Sequence, residues 1–300
     1  MADSVGKRNP LLAAGLSLAM PGAGQFYNRR YVKGVLYLGT EVGLAFYGYN
    51  RYKEARELDP EVSRLDQRYR HLLDSLGGID TSTYIYDSVP GFPDSVQATD
   101  RPGPTVFRMA ADTARFKRDR LRYGAYQSWW WAASCYLYGV MDAIDKTGVF
   151  DDDEPRNPQI AGWLSAVPFL GLGQIYNGAL SKAGMIFMVQ SSLAYMALNN
   201  HLLLTRAEDQ LQRMANPSHP EYAVVHELTG NSFVHEWETL YKQAFRNRNT
   251  YLWYSLFFYF YNIFDAVVDA HLHDYDKRMR LEPDLQALSQ RVGMKLNLAF

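Results

Sequence analysis

The sequence predicts an all-helical, polytopic integral membrane protein that consists of two duplicated units. Three observations carry this prediction. Long stretches of the chain lack charged side chains, and an unusual turn inside such a stretch occurs twice. In addition, the 22 Tyr and 6 Trp residues concentrate in and beside these stretches, and both side chains favour the boundary between lipid and water.

The charge-poor stretches approach the length of a membrane-spanning helix, which is about 20 residues for a hydrocarbon core of about 30 Å. Five of them contain no Asp, Glu, Lys or Arg, and one contains Glu41 alone. The alternative is a soluble helical protein with buried core helices, which typically shows shorter apolar runs. The stretches cover residues 9–28, 34–50, 123–141, 157–181, 183–204 and 249–264.

Composition excludes several classes of function. The 300-residue chain has a net charge of -1, which gives no basis for nucleic-acid binding. Its single cysteine, Cys135, excludes an intramolecular disulfide and a cysteine-based metal site. The N-terminus resembles a signal peptide, but the same pattern recurs internally from Asn157, which favours retention of the N-terminal segment.

The repeated turn reads PGAGQFYN in the first copy and GLGQIYN in the second. Glycine permits positive φ angles and close backbone approach, and proline stops a helix, so we predict a broken helix or a sharp interfacial turn. The amide side chains would satisfy the backbone groups of the break, and the tyrosines would anchor it at the interface. The turn residues are Pro21, Gly22, Gly24, Gln25, Tyr27 and Asn28, and then Gly171, Gly173, Gln174, Tyr176 and Asn177.

The two halves share one order of segments: apolar run, turn, apolar run, polar excursion, aromatic run and acidic exit. This order predicts a duplication followed by growth of the loops. The first repeat covers residues 1–150 with a polar insertion at 51–122, and an acidic linker follows at 151–156. The second repeat covers 157–300, with an insertion at 205–248 and a C-terminal tail at 277–300.

The polar excursions are themselves predicted to be mostly helical. The first contains an amphipathic helix over 58–76, an irregular segment over 77–105 and a basic helix over 114–122. The second contains a helix over 203–214, a break at 216–220 and a further helix with an apolar stripe, and we expect the stripes to pack on each other. The stripe consists of Phe233, Trp237, Leu240, Tyr241 and Phe245.

The turn PGAGQFYNRRYVKG and the exit YNIFDAVVDAHLHDYD resemble an uncharacterised bacterial polytopic membrane domain of unknown function. That domain has a Pro-Gly-x-Gly-Gln-x-Tyr-Asn turn and an Asp-Ala-x-x-Asp-Ala-His-Leu exit, and is akin to the two-helix transmembrane domain family. The second exit, residues 265–272, is complete, whereas the first has diverged to DAIDKTG. The resemblance implies a protein of the bacterial cell envelope with two copies of the domain, and it implies no catalytic activity.

Two membrane topologies remain open. Either every apolar run spans the bilayer, which gives six crossings, or the run before each turn is re-entrant, which gives four. Basic residues on both sides of the first run, from Lys7 to Lys33, favour the re-entrant arrangement. Both arrangements place the two termini on one side, which the basic segment after Asp276 marks as the cytoplasmic side of the inner membrane.

Two groups of ionisable residues are candidate sites. Asp265, Asp269, His273 and Asp276 share one helix face and form a weak candidate metal site. The alternative is a helix leaving the membrane, and it is favoured because Lys146 replaces Asp269 in the first copy. Glu41 is an acid inside an apolar run, which is a functional hypothesis by default. Alternatively, Glu41 pairs with Lys33 or a tyrosine hydroxyl.

These observations predict a structural, non-enzymatic protein. We expect a scaffold subunit of a larger bacterial membrane complex, in an energy-converting or envelope assembly, whose partners are the lipid bilayer and other membrane subunits. We identify no soluble substrate, and since no histidine lies within the interior of a membrane helix, we expect no cofactor. One alternative is a small-solute or lipid transporter that uses the two broken helices and Glu41. Another is a metal-dependent enzyme at the C-terminal exit.

Overall fold

The computed structural model describes residues 8–80, 83–84, 101–147, 156–228 and 231–273. These residues are almost entirely helical, which confirms the all-α fold class. A π-helical turn at Val224–Leu228 follows α9, and Thr83–Tyr84 pairs antiparallel with Arg101–Pro102. The helices are α1 Pro10–Ala19, α2 Ala23–Tyr27, α3 Tyr31–Glu57, α4 Asp59–Ser75, α5 Pro104–Asp145, α6 Pro158–Ser165, α7 Leu172–Tyr176, α8 Leu180–Ala215, α9 Pro220–Ala223 and α10 Ser232–His273.

The same local signal starts α1 and α6. Asn9 accepts hydrogen bonds from the backbone N–H groups of Leu11 and Leu12, and Asn157 does the same for the first turn of α6. A proline in the first turn needs no backbone donor, so the Asn-Pro pair is a strong helix start. Because α1 has 10 residues and α6 has 8, both apolar runs break before the repeated turn, as predicted.

No helix in the described ranges reaches the combination of length and hydropathy that crossing a membrane requires. The polytopic membrane architecture therefore stays a prediction.

The chain forms two compact units. Unit 1 consists of the described residues of 1–41, 133–192 and 254–300, and unit 2 of those of 42–132 and 193–253. Each unit draws on both halves of the sequence, so the units differ from the repeats predicted at 1–150 and 157–300. The division into two sequence repeats concerns the origin of the chain and stays a prediction.

The core of unit 2 forms around Trp237 of α10. Its indole N–H donates to Thr113 Oγ1 at 3.1 Å, and its ring meets Phe116 edge-on at 5.2 Å. The predicted stripe of α10 therefore does pack on the other helices, except that Phe245 is exposed. The core comprises Met109, Phe116, Leu203, Leu204, Ala207, Met214, Val224, Val225, Trp237, Leu240 and Ala244.

Ion pairs join α4 to the basic part of α5. Arg122 Nη2 lies 2.9 Å from Asp59 Oδ1, and Arg115 pairs with Asp66. These contacts explain part of the predicted basic helix at 114–122, because Arg115, Arg118 and Arg122 face the acids of α4. Since such partly exposed pairs contribute little individually, they fix the register of α4 on α5 more than they stabilise it. The predicted irregular segment that follows α4 lies largely outside the described residues.

Among the described residues of unit 2, Glu221 is the most deeply buried charge, with 1% of its surface exposed. Its Oε1 lies 2.9 Å from Arg108 Nη2 and 3.5 Å from Arg213 Nε. Burial by itself lowers the pKa of the Arg108 guanidinium, but the charges of Glu221 and Asp80 outweigh burial and raise that pKa above its ordinary value. The two arginines thus hold a carboxylate that would otherwise be too costly to bury.

We predict that Glu221→Ala lowers the free energy of unfolding by about 3–5 kcal/mol, because it leaves the half-buried Arg108 without its inner partner. Urea unfolding followed by circular dichroism measures the change. Glu208→Ala, at an exposed position of α8, is the control and should change stability by less than about 0.5 kcal/mol. Equal effects of the two substitutions would show that Glu221 is not a structural ion-pair centre.

Candidate functional site

The two repeated turns in unit 1 depend on a glycine with positive φ. Gly22 precedes α2 with φ 83°, and Gly171 precedes α7 with φ 56°. A Cβ on Gly22 would lie 2.3 Å from the carbonyl oxygen of Gly34, and one on Gly171 would lie 2.8 Å from Ala183 Cα. Both the backbone angle and the close approach therefore require glycine at these positions.

A second glycine in each turn allows the short helix to pack directly against the helix before it. A Cβ on Gly24 would lie 2.1 Å from Ser17 Oγ and 2.5 Å from the carbonyl oxygen of Ala13. For Gly173, the corresponding distances are 2.0 Å to Ser165 Oγ and 2.4 Å to the carbonyl oxygen of Ala161. The α1–α2 and α6–α7 hairpins are thus closed by the same contact.

The amides of the first turn bind the end of α5. Gln25 Nε2 donates to the carbonyl oxygen of Gly139 at 2.6 Å and to Asp142 Oδ2 at 3.3 Å. Asn28 Nδ2 donates to the carbonyl oxygen of Ala143 at 2.8 Å. These nitrogens therefore attach the turn to the acidic exit helix, whereas the sequence suggested that they satisfy the backbone of the break itself.

The amides of the second turn repeat this arrangement at α10. Gln174 Nε2 donates to Asp265 Oδ2 at 2.7 Å, and Asn177 Nδ2 donates to the carbonyl oxygen of Ala266 at 2.7 Å. The side-chain oxygens of Gln25 and Gln174 are buried without a hydrogen-bond partner, so even this detail recurs.

The tyrosines of the turns fasten the start of each hairpin. Tyr27 Oη accepts a hydrogen bond from the backbone N–H of Asn9 at 3.3 Å, and Tyr176 Oη accepts one from Asn157 at 3.0 Å. Each tyrosine thereby ties the turn to the residue that caps the preceding helix. Pro21 lies in the break between α1 and α2, where it ends the first helical segment.

An ion pair with a buried carboxylate joins the segment after the first turn to the end of α5. Lys33 Nζ lies 2.6 Å from Asp142 Oδ1, and Ser181 Oγ donates to the same oxygen at 2.8 Å. Asp142 is fully buried, with an exposed fraction of 0%. The sequence matched Lys33 with Lys182 and Asp142 with Asp265, but it did not show that the members of each copy form an ion pair. The signal was that both residues recur, the lysine eight residues after the glutamine of each turn and the aspartate in each exit segment.

The second copy adds another carboxylate. Lys182 Nζ lies 3.1 Å from Asp265 Oδ1 and 2.6 Å from Asp269 Oδ2. Two of the four weak metal candidates are therefore engaged by one lysine. His273 is the last residue of α10, and Asp276 lies outside the described residues. Within the ranges the structure describes, no group of three or more His, Cys, Asp or Glu residues could hold a metal ion.

Glu41 lies on α3 beside Cys135, in unit 1. Its Oε1 is buried and has no hydrogen-bond partner. Lys33, one of the partners that the sequence suggested for it, binds Asp142 instead. The counterpart of Glu41 in the second copy, Gln190, accepts a hydrogen bond from the backbone N–H of Phe169 at 2.7 Å. The first and second segments therefore differ in hydrogen bonding at this position.

The C-terminal part of the chain matches a known protein family. Residues 154–300 match the family described as Family of unknown function (DUF5683). The DUF5683 match contains the second turn, Lys182 and the complete exit helix, and the first copy lies before it. No curated protein and no solved structure matches the chain.

We predict that Gly24→Ala and Gly173→Ala each destabilise the protein by about 1–3 kcal/mol, because the new methyl group collides with helix backbone. Gly15→Ala in α1 is the matched control, since nothing lies within 4 Å of a Cβ at that position. It should be neutral or stabilising by up to about 1 kcal/mol. Thermal unfolding of the purified variants measures this difference, and a loss for Gly15→Ala as large as for Gly24→Ala would contradict the packing described here.

We also predict that Lys33→Met costs about 3–5 kcal/mol of stability, because it leaves the fully buried Asp142 without its cation. Lys182→Met should cost less, since Asp265 and Asp269 are partly exposed and remain accessible to water. Addition of Asp142→Asn to Lys33→Met should restore most of the loss by removing the unpaired charge. Chemical unfolding of the three variants measures these effects. If the two lysine variants behave alike, the ion pair in the first copy is not the stronger one.

Proposed function

We propose that this protein is a structural, non-enzymatic subunit of a bacterial inner-membrane assembly, and that lipid and neighbouring subunits cover the surface of unit 1. One observation supports this proposal above all others. In unit 1, large apolar side chains are exposed, whereas the carboxylate of Asp142 is fully buried and pairs with the partly exposed Lys33.

The contrast is pronounced at individual residues. Leu11, Trp163 and Val32 are 81%, 79% and 77% exposed, whereas Asp142 is fully buried. A protein surrounded by water places its charges outside and rarely exposes large contiguous apolar surface. Further exposed apolar residues of unit 1 are Leu18, Tyr31, Val35, Leu36, Leu170, Tyr254, Phe257, Phe264, Val268 and Leu272.

Most of the exposed large apolar residues of α10 within unit 1 form one continuous stripe. Tyr254, Phe257, Tyr261, Phe264, Val268 and Leu272 follow each other at spacings of three and four, which places them on one helix face. At 1.5 Å per residue the stripe is about 27 Å long, close to the thickness of about 30 Å of a bilayer core. The mean hydropathy of the whole helix does not reveal this face, because the inward side carries the polar residues Asn262, Asp265 and Asp269.

The polar groups of unit 1 support a structural role. The amide nitrogens of both turns and the lysines that follow them bind the acidic ends of α5 and α10, as described above. They connect helix ends to one another, and this leaves the aromatic faces as the surface on which other subunits would pack. The exposed Arg29, Arg30 and Lys146 lie next to the turns and match the cytoplasmic side under the positive-inside rule.

Membrane fractionation tests the location. We expect the full-length protein, expressed in a bacterial host, to stay in the membrane pellet after an alkaline carbonate wash and to be released by mild detergent. Phe257→Asp combined with Phe264→Asp should reduce the membrane-bound fraction several-fold, because each charge costs about 2.5–3.5 kcal/mol within the bilayer. Ile79→Asp, at an exposed apolar position of unit 2, is the control and should leave the distribution unchanged.

Two outcomes would refute parts of the proposal. Recovery of the wild-type protein in the soluble fraction without detergent would refute the membrane location. If the detergent-extracted protein runs as a lone monomer on native gels, with no partner after chemical crosslinking in the membrane, the scaffold role is wrong.

A further inference from the structure

A pocket of about 390 Å³ lies within unit 2, between α3, α5, α8 and α10. Three cations line it, namely Arg51 of α3 and Lys117 and Arg120 of α5. Among the described residues that line the pocket, none is Asp or Glu. The electrostatic potential inside the pocket is therefore positive, which favours an anionic ligand.

The cations are available to a ligand. Within the described part of the chain, Arg120 forms no ion pair, and its side chain is exposed. Lys117 pairs with Glu236 and Arg51 with Glu54, at 2.7 Å and 3.3 Å, but both pairs are exposed and the two acids lie outside the pocket lining. Exposed ion pairs contribute at most about 1 kcal/mol, so a better placed anion can displace them.

The remaining polar lining includes hydrogen-bond donors that suit a phosphate group. Tyr123 and Tyr251 contribute hydroxyl groups, and Gln127 and Asn247 contribute amides. Guanidinium, ammonium, hydroxyl and amide groups all donate to phosphate oxygens, and arginine does so with two parallel hydrogen bonds. The apolar surface of Leu203 completes one wall.

The position of the pocket along its four helices also points to a lipid ligand. The charge-free part of α3 ends one residue before Arg51, and that of α5 begins at Tyr123, after Arg122. The charge-free part of α8 ends next to Leu203, and that of α10 begins between Asn247 and Tyr251. All four helices thus change from charged to apolar sequence at the same pocket. Such a boundary is where the headgroups of a bilayer would lie.

We propose that this pocket binds the phosphate of an anionic phospholipid headgroup. The proposal rests on the membrane location proposed above. Either a lipid or a free phosphate compound could supply a phosphate anion. The position of the pocket at the boundary between charged and apolar sequence favours the lipid. Binding would hold the four helices of unit 2 at a fixed depth and make the stability of the protein depend on lipid composition.

Titration of the purified full-length protein in a neutral detergent tests this inference. The probes are dihexanoyl-phosphatidylglycerol, dihexanoyl-phosphatidylcholine and inorganic phosphate, and the readout is the shift of the thermal unfolding midpoint. We expect a saturable rise with phosphatidylglycerol and a much smaller response to the other two. Lys117→Gln combined with Arg120→Gln should weaken phosphatidylglycerol binding about tenfold or more, because each lost charged hydrogen bond corresponds to roughly that factor.

The control for this variant is Lys53→Gln combined with Arg64→Gln, two exposed positions outside the pocket that give the same change of net charge. Equal weakening by both double variants would overturn the proposal, since it would indicate a general charge effect. Inorganic phosphate that binds as tightly as phosphatidylglycerol would overturn the lipid assignment. The titration needs no membrane, so a failed pocket and a failed membrane location remain distinguishable by comparison with the fractionation.

Discussion

The carboxylates of the fully buried Asp142 and the partly buried Asp265 are the constraint on which unit 1 depends. A carboxylate in an apolar interior is stable only when a cation and hydrogen-bond donors surround it. In both copies the lysine supplies the charge and the glutamine of the turn supplies a donor. Since glutamine and lysine lie eight residues apart in each copy, one turn geometry brings both to the same carboxylate.

The glycines of the turn serve this contact. They allow the short helices α2 and α7 to reverse direction and to lie directly on the preceding helix, so that the amide groups reach the exit helix. The copies also meet at one atom, because Ser181 of the second copy donates to Asp142 of the first. A substitution that disturbs either turn would therefore affect the hydrogen bonds and ion pairs around both Asp142 and Asp265.

The two units have different interiors. Unit 2 has an apolar core around Trp237, and most of its ion pairs are partly exposed, apart from the buried Glu221. In unit 1 the fully buried Asp142 pairs with Lys33, and large apolar residues such as Trp163 and Phe264 are exposed. This exposed apolar surface is the physical basis for the proposed membrane location, and the cationic pocket of unit 2 lies where its helices change from charged to apolar sequence.

The sequence by itself determined the local features of this protein. Interactions between residues a few positions apart set the helical periodicity, the Asn-Pro starts and the breaks at the glycine-rich turns. They also set the apolar stripe from Phe233 to Phe245. Only the tertiary structure decided which side chains meet. Lys33 and Asp142 are 109 residues apart, and Gln174 and Asp265 are 91 apart. The same holds for the burial of Glu221 and for the pocket at Arg120. Such contacts depend on how helices pack, and packing is set by the sum of many distant contacts that no local pattern encodes.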